Sequence, residues 1–306
     1  MRKISIIGAG NVGSTLAYTL MLRNVASEIK LIDVNEEKEK GEVMDIADSM
    51  CFVETGCLRG ANFEDARESD IVIITAGTAQ KPGETRLMLA EKNKGILKSI
   101  IKGIGKFKKD AILIIVANPV DVLTYHAQKW SKLPRSRVFG TGTSLETSRM
   151  KTELSRCLNV YAQNIEGYYL GEHGDSGFIA YSTVSAGGRN ISDLKKNLCD
   201  LKGIESRVKN EVYEIIKTKG STYYGIAMTA CDIVEAVLFN QKKILPLSWN
   251  LDPSYKMGDV CLSMPVVVGE NGIEKRWPVM LTKTEKNALL KSAKNISKYL
   301  GFFSRS

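Results

Sequence analysis

Lys3-Ile4-Ser5-Ile6-Ile7-Gly8-Ala9-Gly10-Asn11-Val12-Gly13 begins as a β-rich apolar run and breaks into glycines spaced Gly-x-Gly-x-x-Gly. Ser14-Thr15-Leu16-Ala17-Tyr18-Thr19-Leu20-Met21 then takes up helical spacing, and a second run, Ile29-Lys30-Leu31-Ile32, ends in Asp33, 20 positions after Gly13. The glycines alone are weak evidence. Set between a strand and a helix, with an acid closing the next strand at this distance, they describe a dinucleotide-binding turn. The glycines let backbone amides approach a pyrophosphate, and the partial positive charge of the helix N-terminus favours it. The Asp33 carboxylate suits a ribose diol and repels a 2′-phosphate; Val34-Asn35-Glu36-Glu37 offers no arginine to offset it, so the pattern selects NAD over NADP. Gly8, Gly10, Asn11, Val12, Gly13 and Asp33 are therefore the candidate cofactor-binding residues.

Outward from this unit, strand signals recur at 71–75 and 111–116, with a long helical stretch over 87–107 between them. Near-continuous apolar strands separated by helices imply a parallel sheet covered on both faces, with ligands at the carboxyl ends of the strands. Two loops leave those ends. One is Ala76-Gly77-Thr78-Ala79-Gln80-Lys81-Pro82-Gly83-Glu84-Thr85-Arg86, which places Gly77 beside the cofactor and has the composition of a loop that closes over a site; the other is Ala117-Asn118-Pro119-Val120-Asp121.

Near residue 140 the character changes. A helix over 145–158 carries Glu146 and Arg149 three residues apart and so on one face. A β-rich stretch near 180–184, helices over 204–219 and 222–239, strands at 243–247, 259–268 and 274–280, and a Lys-rich helix over 283–300 follow. The expected architecture is α/β: a Rossmann-type doubly wound parallel sheet over 1–140, then an α+β substrate-binding domain over 141–306.

A chain of 306 residues with 43% hydrophobic and 25% charged content is an ordinary globular protein, and no run reaches the length of a membrane span. The start briefly imitates a signal peptide, but glycines at 8, 10 and 13 interrupt it, so the expected location is cytoplasmic. The 6 cysteines have no CxxC spacing and read as reduced, mostly buried thiols; no metal site is expected. The net charge of +9 is scattered apart from a cluster over 102–109, which argues for a solvated surface and against nucleic acid as a partner.

Only 2 histidines are present. His126, in Thr124-Tyr125-His126-Ala127-Gln128-Lys129-Trp130, reads as the exposed or half-buried flank of a helix with a structural role. His173, in Gly171-Glu172-His173-Gly174-Asp175, follows the apolar run Tyr168-Tyr169-Leu170 and should stand on a tight loop at a strand end, where it would handle a proton. Arg149, a planar fork, suits a substrate carboxylate, and Arg86 would polarise a carbonyl as its loop closes.

Together the Gly8 to Gly13 turn, Asp33, Gln80-Lys81-Pro82-Gly83-Glu84-Thr85-Arg86, Ala117-Asn118-Pro119-Val120-Asp121, Gly171-Glu172-His173-Gly174-Asp175 and Lys219-Gly220-Ser221-Thr222 resemble the L-lactate dehydrogenases of bacterial type, in order and over essentially the whole chain. The resemblance implies NAD-dependent interconversion of pyruvate and L-lactate by a homotetramer. It assigns the proton donor to His173, the carboxylate clamp to Arg149 and carbonyl polarisation to Arg86. Asn118 would touch substrate and nicotinamide, Thr222 the substrate, and Ile226 the nicotinamide face. The similar malate dehydrogenases carry an arginine where this chain has Gln80; facing a methyl group, that buried charge would stand unpaired at about 3–5 kcal/mol. Two other readings stay open at this point: a malate or other L-2-hydroxy-acid dehydrogenase, and a non-catalytic dinucleotide-binding protein with a decayed site.

The chain departs from the family pattern twice. Three residues before the clamp arginine the family has an aspartate that holds the catalytic histidine, and here Glu146 adds a methylene; a misplacement of about 1 Å can lower the rate roughly a hundredfold. Many relatives bind fructose 1,6-bisphosphate through an arginine and a histidine at the positions of Lys151 and Glu166. A carboxylate there repels phosphate, so activation by that ligand should be weak or absent.

Overall fold

A computed structural model describes residues 2–54, 56–79, 85–193, 199–251 and 253–303. β1 (Lys3–Ile7) runs through the glycine turn into α1 (Asn11–Leu22), followed by β2 (Glu28–Ile32), α2 (Glu36–Ala47) and a three-residue β3 (Leu58–Gly60). β4 (Ile71–Ile74), α3 (Arg86–Ile104), β5 (Ile112–Ile115), α4 (Val120–Trp130) and β6 (Val138–Gly140) repeat the alternation. The six strands lie in the order β6-β5-β4-β1-β2-β3, all parallel. The strand order reverses between β1 and β4, which opens a crevice at their carboxyl ends.

The second half supplies α5 (Ser144–Leu158), five two-residue strands, α6 (Leu201–Lys219), α7 (Tyr224–Leu238) and α8 (Lys283–Phe303). The short strands are β7 (Ile165–Glu166), β8 (Tyr169–Leu170), β9 (Phe178–Ile179), β10 (Ser185–Ala186) and β11 (Arg189–Asn190). Three longer strands, β12 (Lys243–Asn250), β13 (Cys261–Gly269) and β14 (Gly272–Arg276), form no sheet of their own. β12 pairs antiparallel with β6 through Ser248 and Gly140, so one nine-stranded sheet crosses both halves.

Strand alternation builds the two cores. Ile4, Ile6, Ile29, Leu31, Ile71 and Ile73 point to the face covered by α1 and α7, whereas Ile7, Ile32, Val72, Ile74, Leu113 and Ile115 point to α3 and α4. α7, from the second half, thus covers a face of the first half's sheet. α5 and α6 pack through Met150, Leu154, Ile204 and Val208 around β7 to β9, and α8 closes on β13 through Leu289, Ala293 and Ile296. No helix among the described residues is long and apolar enough to cross a membrane.

Several expectations need correction. The stretch near 180–184 is a single 3₁₀ turn, Tyr181–Thr183. Its polar groups are satisfied off-ladder: the Tyr181 hydroxyl donates to Leu201 O, and the Ser182 amide and hydroxyl donate to Glu285. The last strand ends at Arg276, ahead of Pro278, which has no amide to extend a ladder. His126 is buried and stacks on Trp130 at 4.8 Å; burial, with Lys94 and Lys129 nearby, lowers its pKa to about 4. The cysteines are not all reduced: Cys157 at the end of α5 and Cys199 ahead of α6 form a disulfide, with Cα atoms 5.8 Å apart. Cys51 and Cys57 are exposed, and only Cys231 and Cys261 are buried thiols. A separation of 42 residues hides that bridge from any spacing rule; helix packing creates it.

Candidate active site

The glycine turn forms a cradle. Gly8 has φ +113°, and a Cβ there would lie 2.6 Å from Ala76 N; one on Gly13 would lie 1.7 Å from Gly8 O, so α1 can lean on β1 only without a side chain. Gly10 differs. A Cβ there meets nothing within 4 Å, so its missing side chain leaves space at the N-terminus of α1. That end has no side-chain cap and no acid in its first turn, whereas α2 is capped by the Asn35 side chain and opens on Glu36, Glu37 and Glu39. Uncapped amides beside open space suit a pyrophosphate. Asp33 accepts from the Ala9 amide at 2.7 Å and from the Asn35 amide at 3.0 Å, which fixes its carboxylate beside the turn. Gly8, Gly10, Asn11, Val12, Gly13 and Asp33 thus lie together around the N-terminus of α1, and these residues fit NAD.

Gly77 and Asn118 leave the ends of β4 and β5 and are tied by a residue that no sequence motif marks. Asn93 of α3, 2% exposed, donates to Asn118 O at 2.7 Å and Thr78 O at 3.1 Å and accepts from the Thr78 amide at 2.8 Å. Asn11 reaches Ser221 Oγ at 3.0 Å, linking the glycine turn to the segment that carries Thr222.

His173 stands on the loop after β8, where Gly171 has φ +92° and a Cβ would meet Ser292 Oγ at 2.6 Å. Its amide donates to Asp121 Oδ2 at 2.9 Å, and Asp121 Oδ1 accepts from Ser248 Oγ at 2.5 Å. Asp121 and Ser248 are buried positioning residues whose role the sequence alone does not reveal. The imidazole Nδ1 lies 2.9 Å from Glu146 Oε1, so the longer side chain does bring its charge to the ring. The contact is chiefly one of charge: at 2.9 Å it is close, but Nδ1 has no well-directed hydrogen-bond partner and Glu146 Oε2 has none.

Burial works against a charged imidazole, but the Glu146 charge, with Asp121 behind it, outweighs that and raises the His173 pKa to about 9. Burial likewise opposes ionisation of Glu146, yet the imidazolium holds its pKa below the usual carboxylate value. For Asp121 burial dominates and pushes the carboxyl up to about 7, against the bonds from Ser248 and His173. With its side chain 24% exposed, His173 keeps one edge open.

That edge faces a cleft of about 270 Å³ which Asn118, Glu146, Arg149, His173, Thr222 and Ile226 all line. Arg149, on α5 one turn past Glu146, has its side chain 8% exposed, and its Nε lies 3.5 Å from Glu211 Oε1 of α6. A fixed cation, a protonated imidazole and amide and hydroxyl groups around one cleft can bind a small carboxylate and protonate an oxygen beside it. Gln80 lies outside the described residues, as does the side chain of Arg86, whose backbone opens α3. Away from the cleft, Lys151 Nζ pairs with Glu166 Oε2 at 3.6 Å.

Comparison with known proteins points to one family. The family model described as lactate/malate dehydrogenase, NAD binding domain matches residues 2–140, and that for the lactate/malate dehydrogenase alpha/beta C-terminal domain matches 143–301. An L-lactate dehydrogenase of Clostridium botulinum (strain Loch Maree / Type A3) is 45% identical over 304 residues, covering 97% of this chain and 96% of its own. Among solved structures, a lactate dehydrogenase from a Medee basin deep-sea metagenome library has a TM-score of 0.95 at 36% identity, covering 99% of this chain and 100% of its own. The minor L-lactate dehydrogenase of Enterococcus mundtii gives 0.94 at 39% identity and covers 98% of each chain. With both of its halves matched and relatives this similar over nearly its whole length, the chain belongs to the lactate/malate dehydrogenase family of NAD-dependent oxidoreductases.

Proposed function

We propose that the chain is an L-lactate dehydrogenase that interconverts pyruvate and L-lactate. When bound, NAD in its reduced or oxidised form supplies or takes the hydride, and every other requirement falls on the chain. Arg149 binds the substrate carboxylate, which places the keto oxygen toward His173. The imidazolium donates its proton to that oxygen during reduction and, as neutral imidazole, takes it back during oxidation. Glu146 stabilises the charged ring. Asn118 and Thr222 contact the substrate, Ile226 backs the nicotinamide, and Gly8, Gly10, Asn11, Val12, Gly13, Asp33 and Gly77 hold the rest of the cofactor. Arg86 polarises the carbonyl, while Gln80 presents no cation to a second carboxylate. Residues 1–140 form the NAD-binding domain and 141–306 the substrate domain; the enzyme assembles as a homotetramer in the cytoplasm, as the resemblance implies.

One observation carries this reading: Arg149 and His173 share a cleft with Thr222 and Ile226, and His173 is charged at neutral pH. The test follows NADH absorbance with pyruvate and oxaloacetate. Pyruvate should be reduced much faster, and Gln80→Arg should narrow or reverse the ratio; equal rates in the unaltered chain overturn the assignment.

A further inference from the structure

The clamp arginine is already engaged. Arg149 sits on α5 with its side chain almost wholly buried, and Glu211 of α6 brings Oε1 to 3.5 Å from its Nε. Buried guanidinium groups need a counter-charge. Glu146, one turn back on α5, also feels the Arg149 charge but is engaged with His173; on α6 the neighbouring charges are paired elsewhere, Lys209 with Glu205 at 3.0 Å and Arg207 with Glu153 at 2.6 Å, which leaves Glu211 as the exposed carboxylate that faces Arg149. The two members of the contact differ in freedom, since the Arg149 side chain is 8% exposed and the Glu211 side chain 41%. Arg149 is fixed by packing; Glu211 can turn toward water.

We propose that Glu211 is a specificity-determining placeholder: its carboxylate neutralises Arg149 while the cleft is empty and competes with the carboxylate of any incoming substrate. The inference rests on the proposed role of Arg149 as clamp. An arriving 2-keto acid puts a second carboxylate beside the same guanidinium, and the two anions repel each other unless Glu211 swings out. Either way, affinity for the substrate is lower than Arg149 alone would give. Stray monocarboxylates meet the same opposition, and a substrate with two carboxylates meets more of it, so the residue selects against dicarboxylates in addition to Gln80.

The experiment compares the unaltered enzyme with Glu211→Gln and Glu211→Asp. Repulsion between two carboxylates that share one guanidinium at a partly hydrated site corresponds to roughly a three- to tenfold change in affinity. Glu211→Gln should lower KM for pyruvate by that factor and for oxaloacetate by more, with the change falling on KM rather than kcat. Glu211→Asp keeps the charge and should remain close to the unaltered enzyme. Oxamate, a monocarboxylate that is not reduced, should bind the NADH complex of Glu211→Gln tighter by the same factor, read by nucleotide fluorescence. An unchanged or raised KM together with an unchanged or weakened oxamate affinity in Glu211→Gln overturns the placeholder role while leaving pyruvate reduction intact. If the unaltered chain fails to reduce pyruvate but oxamate tightens in Glu211→Gln, the enzymatic assignment falls and the placeholder stands. If pyruvate is not reduced and oxamate binds to none of the three, both fall.

Discussion

The glycine turn, on the cofactor wall of the site, and the cleft around His173, on its substrate wall, handle negative charge by different means. On the cofactor wall the work is done by backbone: α1 opens with no cap, no acid in its first turn, and free space at Gly10. On the substrate wall it is done by side chains, where Arg149 and His173 stand among Glu146, Asp121 and Glu211. A helix N-terminus favours an anion without any ionised group having to be buried, so that wall needs only the right glycines. Discrete charges in a partly buried site must be balanced by others, which ties the second wall to residues from several distant elements.

Removing the charge at the centre of the substrate wall should have the largest effect. His173→Asn keeps a polar side chain but no titrating group, so pyruvate reduction should fall by about 10²–10⁴-fold. Fluorescence titration should find NADH affinity preserved; a parallel loss of both would mean that the two walls are not separable. The cofactor wall can be probed by two glycines that should fail differently. Gly10→Val adds bulk where nothing stands within 4 Å, so thermal unfolding should be unchanged while NADH binding weakens by about tenfold or more, a loss of about 1.4 kcal/mol. Gly13→Ala forces a Cβ onto Gly8 O, an overpacking that should destabilise the fold by about 1–3 kcal/mol and lower Tm.

The pH profile sharpens the contrast further. The folded protein raises the His173 pKa to about 9, so the donor form is present below that pH and is lost as pH rises through it. Pyruvate reduction should therefore decline above about pH 9, and lactate oxidation, which needs the neutral ring, should gain over the same range. Glu146→Gln removes the principal charge that opposes burial and should move the decline to lower pH; a profile that stays in place would mean that Glu146 is electrostatically idle. Glu146→Asp tests alignment separately, and a rate increase at constant profile would attribute the loss to the extra methylene. The smallest effect is expected away from both walls. Since Lys151 is paired with Glu166, fructose 1,6-bisphosphate should leave the KM for pyruvate unchanged, as initial rates with and without it would reveal.

The same division explains what could be read from sequence. β1, β2, β4 and β5 are rich in Ile, Leu and Val and their signals are local, and the glycine turn with Asp33 lies within one short βαβ unit. β3 and β6, at three residues each, are too short to leave a period. His173, Arg149, Asn118, Thr222 and Ile226 were legible as separate residues, and the fold brings them to one cleft. Their supports were not. Ser248 reaches Asp121 across 127 positions, Asn93 joins two loops from inside a helix, and Glu211 meets Arg149 only because α5 and α6 pack together. The effect of Glu146 was also beyond sequence: length alone could not say that its charge arrives at 2.9 Å without alignment.

The disulfide of α5 and α6 has a consequence for the chain when it is not folded. Cys157 and Cys199 are 42 residues apart, and His173 lies between them, so the oxidised chain carries its proton-handling loop inside a covalent ring. A ring of that size removes enough freedom from the unfolded ensemble to favour the native state by about 4 kcal/mol on a loop-entropy estimate. Neither cysteine lines the cleft, yet the bridge ties the helix of Arg149 and Glu146 to the segment that leads into the helix of Glu211. Oxidation of this cysteine pair therefore favours the folded form of this wall of the cleft, without any sulfur taking part in the reaction.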